Sequence, residues 1–168
     1  SLVAAKEQLN GQATDKEKLI AEVSNYTPTQ ANFIYYNAEN TKQIAYDTAV
    51  RSAQLVLNQE NVTQAVVNQA LADLLAAKAN LDGQKTDISA LRSAVSVSSV
   101  LKATDAKYLN ASENVKQAYD QAVEAAKAIL VDESASQASV DQALAVLTSA
   151  QAELDGVATS PNDAKEPA

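Results

Sequence analysis

Apolar residues return along this chain at helical spacing, and the same series then returns a second time. Val67, Leu71, Leu74 and Leu81 step by 4, 3 and 7 residues, and Val140, Leu144, Leu147 and Leu154 repeat those steps. A second stripe, Tyr46, Val50, Ala53 and Leu57, recurs as Tyr119, Val123, Ala126 and Leu130. A weaker one sets Leu19, Ile20 and Val23 against Ile88, Leu91 and Val95. Steps of three and four put side chains on one face of a helix, whereas a strand alternates with period two. The pattern predicts helices near residues 13–25, 40–58 and 63–82, then 85–102, 112–131 and 137–155. Thr14-Asp15-Lys16-Glu17 has the form of a capping box at the first helix start. Asn61, Thr63, Ser134 and Ser136 are candidate starts for the third helices.

Leu9-Asn10-Gly11, Leu81-Asp82-Gly83 and Leu154-Asp155-Gly156 recur at spacings of 72 and 73. At an offset of 73, residues 35–83 match residues 108–156 at 24 of 49 positions. Before Tyr35 the offset is 72, so a one-residue insertion is expected in a loop between about residues 24 and 34. Residues 1–11 read as the end of the last helix of a preceding repeat, because they resemble the segment that ends at Gly83. Residues 12–83 and 84–156 form two three-helix modules, and 157–168 a polar tail or linker. The expected fold is all-α, two tandem three-helix bundles. An odd number of antiparallel helices brings the chain in at one end and out at the other. The bundles are therefore expected to stand end to end as a rod of roughly 60–80 Å, at ~1.5 Å of rise per residue. Each Gly follows a helix end, where a left-handed residue is expected.

Composition sharpens this picture. The chain holds 34 Ala and 3 Gly, and Pro28 is the one Pro before the tail, as long helices require. A net charge of −8 argues against nucleic acid, which calls for a clustered basic face. No apolar run reaches the ~18 residues of a membrane span, so no membrane insertion is expected. The chain opens on Ser1-Leu2-Val3 and contains no Met, as expected of a piece of a longer protein.

Candidate chemistry is sparse. No His is present, which removes the commonest general base and the Ser-His-Asp arrangement. No Cys is present, which removes disulfides and thiolate metal sites. Glu39, Asp47, Asp82, Asp120 and Asp155 lack the close alternation of a calcium loop, and three isolated glycines build no phosphate cradle. Neither enzyme activity, metal nor cofactor is expected. Tyr46 and Tyr119 fall on core stripes, with their hydroxyls expected at the rim. Phe33, Tyr35 and Tyr36 cluster in a predicted loop, as a plug on the bundle end or as an exposed contact patch. These three and Tyr108 are the candidate partner-binding residues. The second copy has Ala106 and Lys107 in place of Phe33 and Ile34, so a shared aromatic patch is not expected.

The blocks Tyr35-x-Asn37-Ala38, Ala45-Tyr46-Asp47-x-Ala49-Val50, Gln69-Ala70-Leu71-Ala72 and Leu81-Asp82-Gly83, with their counterparts in the second copy, resemble the FIVAR repeat. The resemblance covers residues 12–156. FIVAR repeats occur in large cell-wall-associated proteins of Gram-positive bacteria, including giant staphylococcal extracellular-matrix-binding proteins. They also occur as accessory modules of some secreted glycosidases. The resemblance implies three-helix bundles in an extracellular, cell-wall-associated or secreted array, monomeric, packed against neighbouring repeats of the same chain. It implies a stalk of an adhesin, with a host matrix protein such as fibronectin as possible partner. The alternative it leaves open is a non-catalytic spacer of a secreted Gram-positive glycosidase. An intracellular coiled-coil scaffold is a third reading, favoured only without an export signal.

Overall fold

The computed structural model describes residues 11–158. They are helical, with no strand among them, and the chain divides into two compact units, Ser1–Gln84 and Lys85–Ala168. The readings of residues 1–11 as the end of an earlier helix and of 157–168 as a tail fall almost wholly outside the described residues.

Unit 1 contains α1 (Glu17–Ser24), α2 (Tyr26–Gln30), α3 (Phe33–Tyr36), α4 (Asn40–Leu57) and α5 (Gln64–Ala79). Thr14 and Asp15, just ahead of α1, are hydrogen-bonded to Val62 and Gln64 at the start of α5. The α1–α2 arm therefore runs parallel to α5, and α4 returns antiparallel beside both. The core gathers Leu19, Tyr46, Val50, Ala53, Val62, Val67, Leu74 and Leu81 from all three arms. Thr63 caps α5 by accepting from the Val66 N–H.

Unit 2 repeats the plan with α6 (Ser89–Thr104), α7 (Ala106–Leu109), α8 (Glu113–Val131) and α9 (Gln137–Ala152). Its core is built from Leu91, Leu101, Tyr119, Val123, Ala126, Val140, Leu147 and Leu154. Ser136 caps α9 through the Ser139 N–H.

Several expectations need correction. Leu71 and Leu144 are only half-buried, on the shoulder of their stripe, while Leu74 and Leu147 are 0% and 1% exposed. Ile20 is 51% exposed. The first arm of unit 1 is broken at Asn25, where α1 ends and α2 begins. Pro28 accounts for the break: it has no N–H to give the Ser24 carbonyl, and its ring crowds that oxygen. Val100 and Leu101 occupy this stretch in unit 2, and α6 runs unbroken for 16 residues. The extra residue of unit 2 thus lies in a helical arm, not in a loop. The predicted aromatic loop is the one-turn helix α3, whose N-cap Asn32 accepts from the Ile34 N–H. Asp105 caps α7 in the same way. Thr14 caps nothing, because its hydroxyl donates to the Val62 carbonyl instead, while Asp15 accepts from the Glu17 N–H. No described glycine has a positive φ, so the left-handed reading of Gly83 and Gly156 is wrong.

Candidate functional site

The conspicuous shared geometry lies at the end of each unit where the chain leaves, between the short helix, the first turn of the long middle helix and the Leu-Asp-Gly block. Each member of the block has its own task. Leu81 and Leu154, 5% and 6% exposed, close the core. Asp82 accepts from the Glu39 N–H at 3.0 Å and pairs with Lys42 at 2.6 Å. Asp155 accepts from the Ser112 N–H at 2.9 Å and from the Ser112 hydroxyl at 2.8 Å. Both carboxylates thus sit at the positive end of a helix dipole, on N–H groups the helix leaves unpaired. The Lys42 ammonium, then the Glu39 N–H, holds the Asp82 carboxyl below its usual range, and the Ser112 N–H and hydroxyl do so for Asp155.

The glycines are needed for closeness. Gly83 N–H donates to the Ile34 carbonyl, and Gly156 N–H to the Lys107 carbonyl, each at 3.1 Å. A Cβ would stand 2.1 Å from the Phe33 carbonyl oxygen at position 83, and 2.4 Å from that of Ala106 at position 156. The amides of Asn37 and Asn110 complete the clasp by donating to the Gln84 and Val157 carbonyls, each at 2.7 Å.

Behind the clasp stands a tyrosine cluster. The Tyr35 hydroxyl donates to the Asp47 carboxylate at 3.0 and 3.1 Å, and Tyr108 does the same to Asp120 at 3.1 and 3.0 Å. Both rings pack edge-on against the buried tyrosine of the middle helix, Tyr46 or Tyr119. The units complete the carboxylate's shell differently. Tyr26 donates to Asp47 in unit 1, whereas Lys102 pairs with Asp120 at 2.6 Å in unit 2. Burial first, and then donation to Asp47, pushes the Tyr26 hydroxyl up to about 12. Burial likewise raises Tyr35, Tyr108 and Tyr119. The Tyr46 hydroxyl is not at the rim: it is buried without a partner, an arrangement that costs about 1–3 kcal/mol.

The candidate contact residues do not form one patch. Phe33, Tyr35 and Tyr36 share α3, but Tyr35 turns into the cluster and Tyr36 is half-buried, leaving Phe33 and Ile34 each 37% exposed. Tyr108 turns inward as Tyr35 does. A shallow groove recurs beside the clasp, of about 470 Å³ in unit 1 and about 400 Å³ in unit 2. Its matched positions change from Asn32, Ile34 and Lys78 to Asp105, Lys107 and Gln151, so its place recurs and its chemistry does not. Among the described residues, no group of three or more acidic side chains gathers to hold a metal, and no helix is long and apolar enough to cross a membrane. Pairing of Tyr35 with Asp47 escaped sequence reasoning, although its twelve-residue spacing is kept in both copies.

Among solved structures, the chain is similar to the 756–1003 domain of EbhA from Staphylococcus aureus, at 24% identity and a TM-score of 0.39, covering 84% of this chain and 78% of that one. It is also similar to the CAMP factor of Mobiluncus curtisii, at 20% identity and a TM-score of 0.39, covering 82% and 65%. No curated protein matches it. The FIVAR domain profile matches twice in tandem, over residues 15–82 and 87–155, and the repeated Tyr-Asp pair and Leu-Asp-Gly clasp fall within those spans. The chain belongs to the FIVAR domain family.

Proposed function

We propose that the chain is a non-catalytic repeat segment of a bacterial cell-surface protein, a stalk that spaces a binding end from the cell wall. The observation that carries this reading is that each unit takes the chain in at one end and releases it at the other. Thr14 is tied beside the start of α5, and Gly83 follows the end of the same helix. Modules of that kind lengthen an array with every copy. Residues 1–11, similar in sequence to the segment ending at Gly83, supply the end of an earlier copy in the same reading. Small-angle scattering tests it: two bundles of ~27 Å in line span ~54 Å, and with the residues that join and precede them the maximum dimension should be roughly 60–80 Å. A value below ~50 Å would remove the physical support for a stalk.

Contact with a host matrix protein such as fibronectin is the finer part of the proposal. Half-exposed Phe33 and Ile34 support it, since an accessible aromatic is a common anchor of interfaces. Immobilised fibronectin should retain the chain, and Phe33→Ala should weaken retention without changing the helical content. Equal retention of both proteins would place the contact away from Phe33, and no retention of the parent protein would leave the array as spacer alone.

A further inference from the structure

We infer that tension along the array runs through the third helix of each unit, α5 and then α9, and bypasses the other two arms. The inference rests on the stalk reading for its relevance, but its geometry stands within each unit.

The incoming segment is latched to the third helix before the first helix begins. The Thr14 hydroxyl donates to the Val62 carbonyl at 2.7 Å, and the Asp15 N–H donates to Gln64 Oε1 at 2.8 Å. The same Gln64 amide returns a bond from Nε2 to the Asp15 carbonyl at 3.1 Å. Gln64 is the first residue of α5, so its side chain pairs with the incoming backbone as a neighbouring strand would. Unit 2 repeats all three bonds. Thr86 donates to the Ala135 carbonyl at 2.8 Å, and the Asp87 N–H to Gln137 Oε1 at 2.7 Å. Gln137 Nε2 returns to the Asp87 carbonyl at 3.3 Å. Gln137 is the first residue of α9.

A pull on the incoming chain therefore meets the latch at residues 14 and 15 before it reaches Glu17, where α1 starts. While the latch holds, the pull passes into the start of α5. It leaves at the other end of that helix, through Asp82, Gly83 and Gln84, which are clasped to Glu39, Ile34 and Asn37. Gln84 is tied in unit 1 and Thr86 in unit 2, so a single residue, Lys85, separates the clasp of one from the latch of the next. α5 resists stretching because Val67 and Leu74 bury it in the core. If the latch opens, the load meets Lys16 next, whose ammonium donates to the Leu57 and Gln59 carbonyls at 3.0 and 2.7 Å, and then α1, and the unit unravels from its first arm.

The chain contains no Cys, so engineered cysteines give unique handles for single-molecule pulling of the whole protein. Handles at Gln12→Cys and Lys85→Cys load unit 1 through its latch, and handles at Lys18→Cys and Lys85→Cys load α1 directly. Gln64→Ala, and separately Thr14→Val, should raise the unfolding rate at constant force by roughly tenfold in the first geometry, as for the loss of an ordinary hydrogen bond. Neither should change it in the second geometry. Circular dichroism at zero force confirms that each variant is folded. Equal acceleration in both geometries would make the latch a general stabiliser, and no acceleration in the first would mean it carries no tension; either result overturns the inference. A parent protein found away from the cell surface would defeat the stalk reading while leaving these rates untouched.

Discussion

The Gly83 N–H donates to the Ile34 carbonyl at 3.1 Å, across a contact so close that a Cβ at position 83 would stand 2.7 Å from that same oxygen. Gly83→Ala must push the outgoing chain off α3, and Gly156→Ala must do the same at α7. Overpacking of this kind costs about 1–3 kcal/mol. Each substitution should lower the denaturation midpoint of its own unit. An unmoved midpoint would mean that the clasp gives way without cost.

Truncation of the core should follow burial and not the sequence stripe alone. Leu74→Ala and Leu147→Ala remove fully buried side chains and should each cost ~2–5 kcal/mol. Leu71→Ala and Leu144→Ala, half-buried, should cost clearly less. Chemical denaturation of the four variants orders them, and equal losses would contradict the burial pattern.

The two units should respond differently to salt. Lys102→Met removes the Asp120 ion pair, whose side chains are 30% and 41% exposed, and should cost at most ~1 kcal/mol, less as salt rises. Tyr26→Phe removes a neutral donor from Asp47, and its cost should not depend on salt. Matching salt dependences in the two variants would show that the ion pair is not what completes the Asp120 shell.

At alkaline pH the raised tyrosines set the limit. A folded-state value above the ordinary 10.0 favours the neutral phenol in the fold, so the stability this gives is whole below pH 10 and lost as pH rises through the folded value, about 12 for Tyr26. Phenolate absorbance should show some tyrosines ionising only as the protein unfolds. Titration of Tyr26, Tyr35, Tyr108 and Tyr119 together near 10.0 would contradict the buried cluster.

At acid pH the sign reverses. Asp82 and Asp155 lie below the ordinary 3.8 in the fold, so their contribution is present above 3.8 and lost as pH falls through their folded values. Asp82→Asn with Asp155→Asn keeps an acceptor oxygen at each helix start but binds no proton, and should flatten the acid loss of stability. An unchanged acid slope would place that loss on other carboxylates.

Helical stripes made the six long arms and the repeat legible, because burial of one face writes a period into each arm. The Tyr46 and Tyr119 positions were legible for the same reason. The rest was written in contacts between distant segments, which leave no period. Thr14 looks like a helix cap until Val62 is seen beside it, and Gly83 looks like a helix stop until Phe33 is seen against it. Tyr35 reads equally as a plug on the bundle end or as a contact patch until Asp47, its partner on another helix, is seen beside it. The short helices α3 and α7, of four residues each, are too brief to show a period at all.

The central claim is that each repeat is closed on itself by its own core and its own Leu-Asp-Gly clasp. The two cores share no residue. Amide hydrogen exchange on the whole chain carrying Leu74→Ala tests this most directly. Exchange should accelerate across α1, α4 and α5 while α6, α8 and α9 keep the protection of the parent protein. Acceleration of both sets together would mean that the repeats are one cooperative structure and would contradict the account.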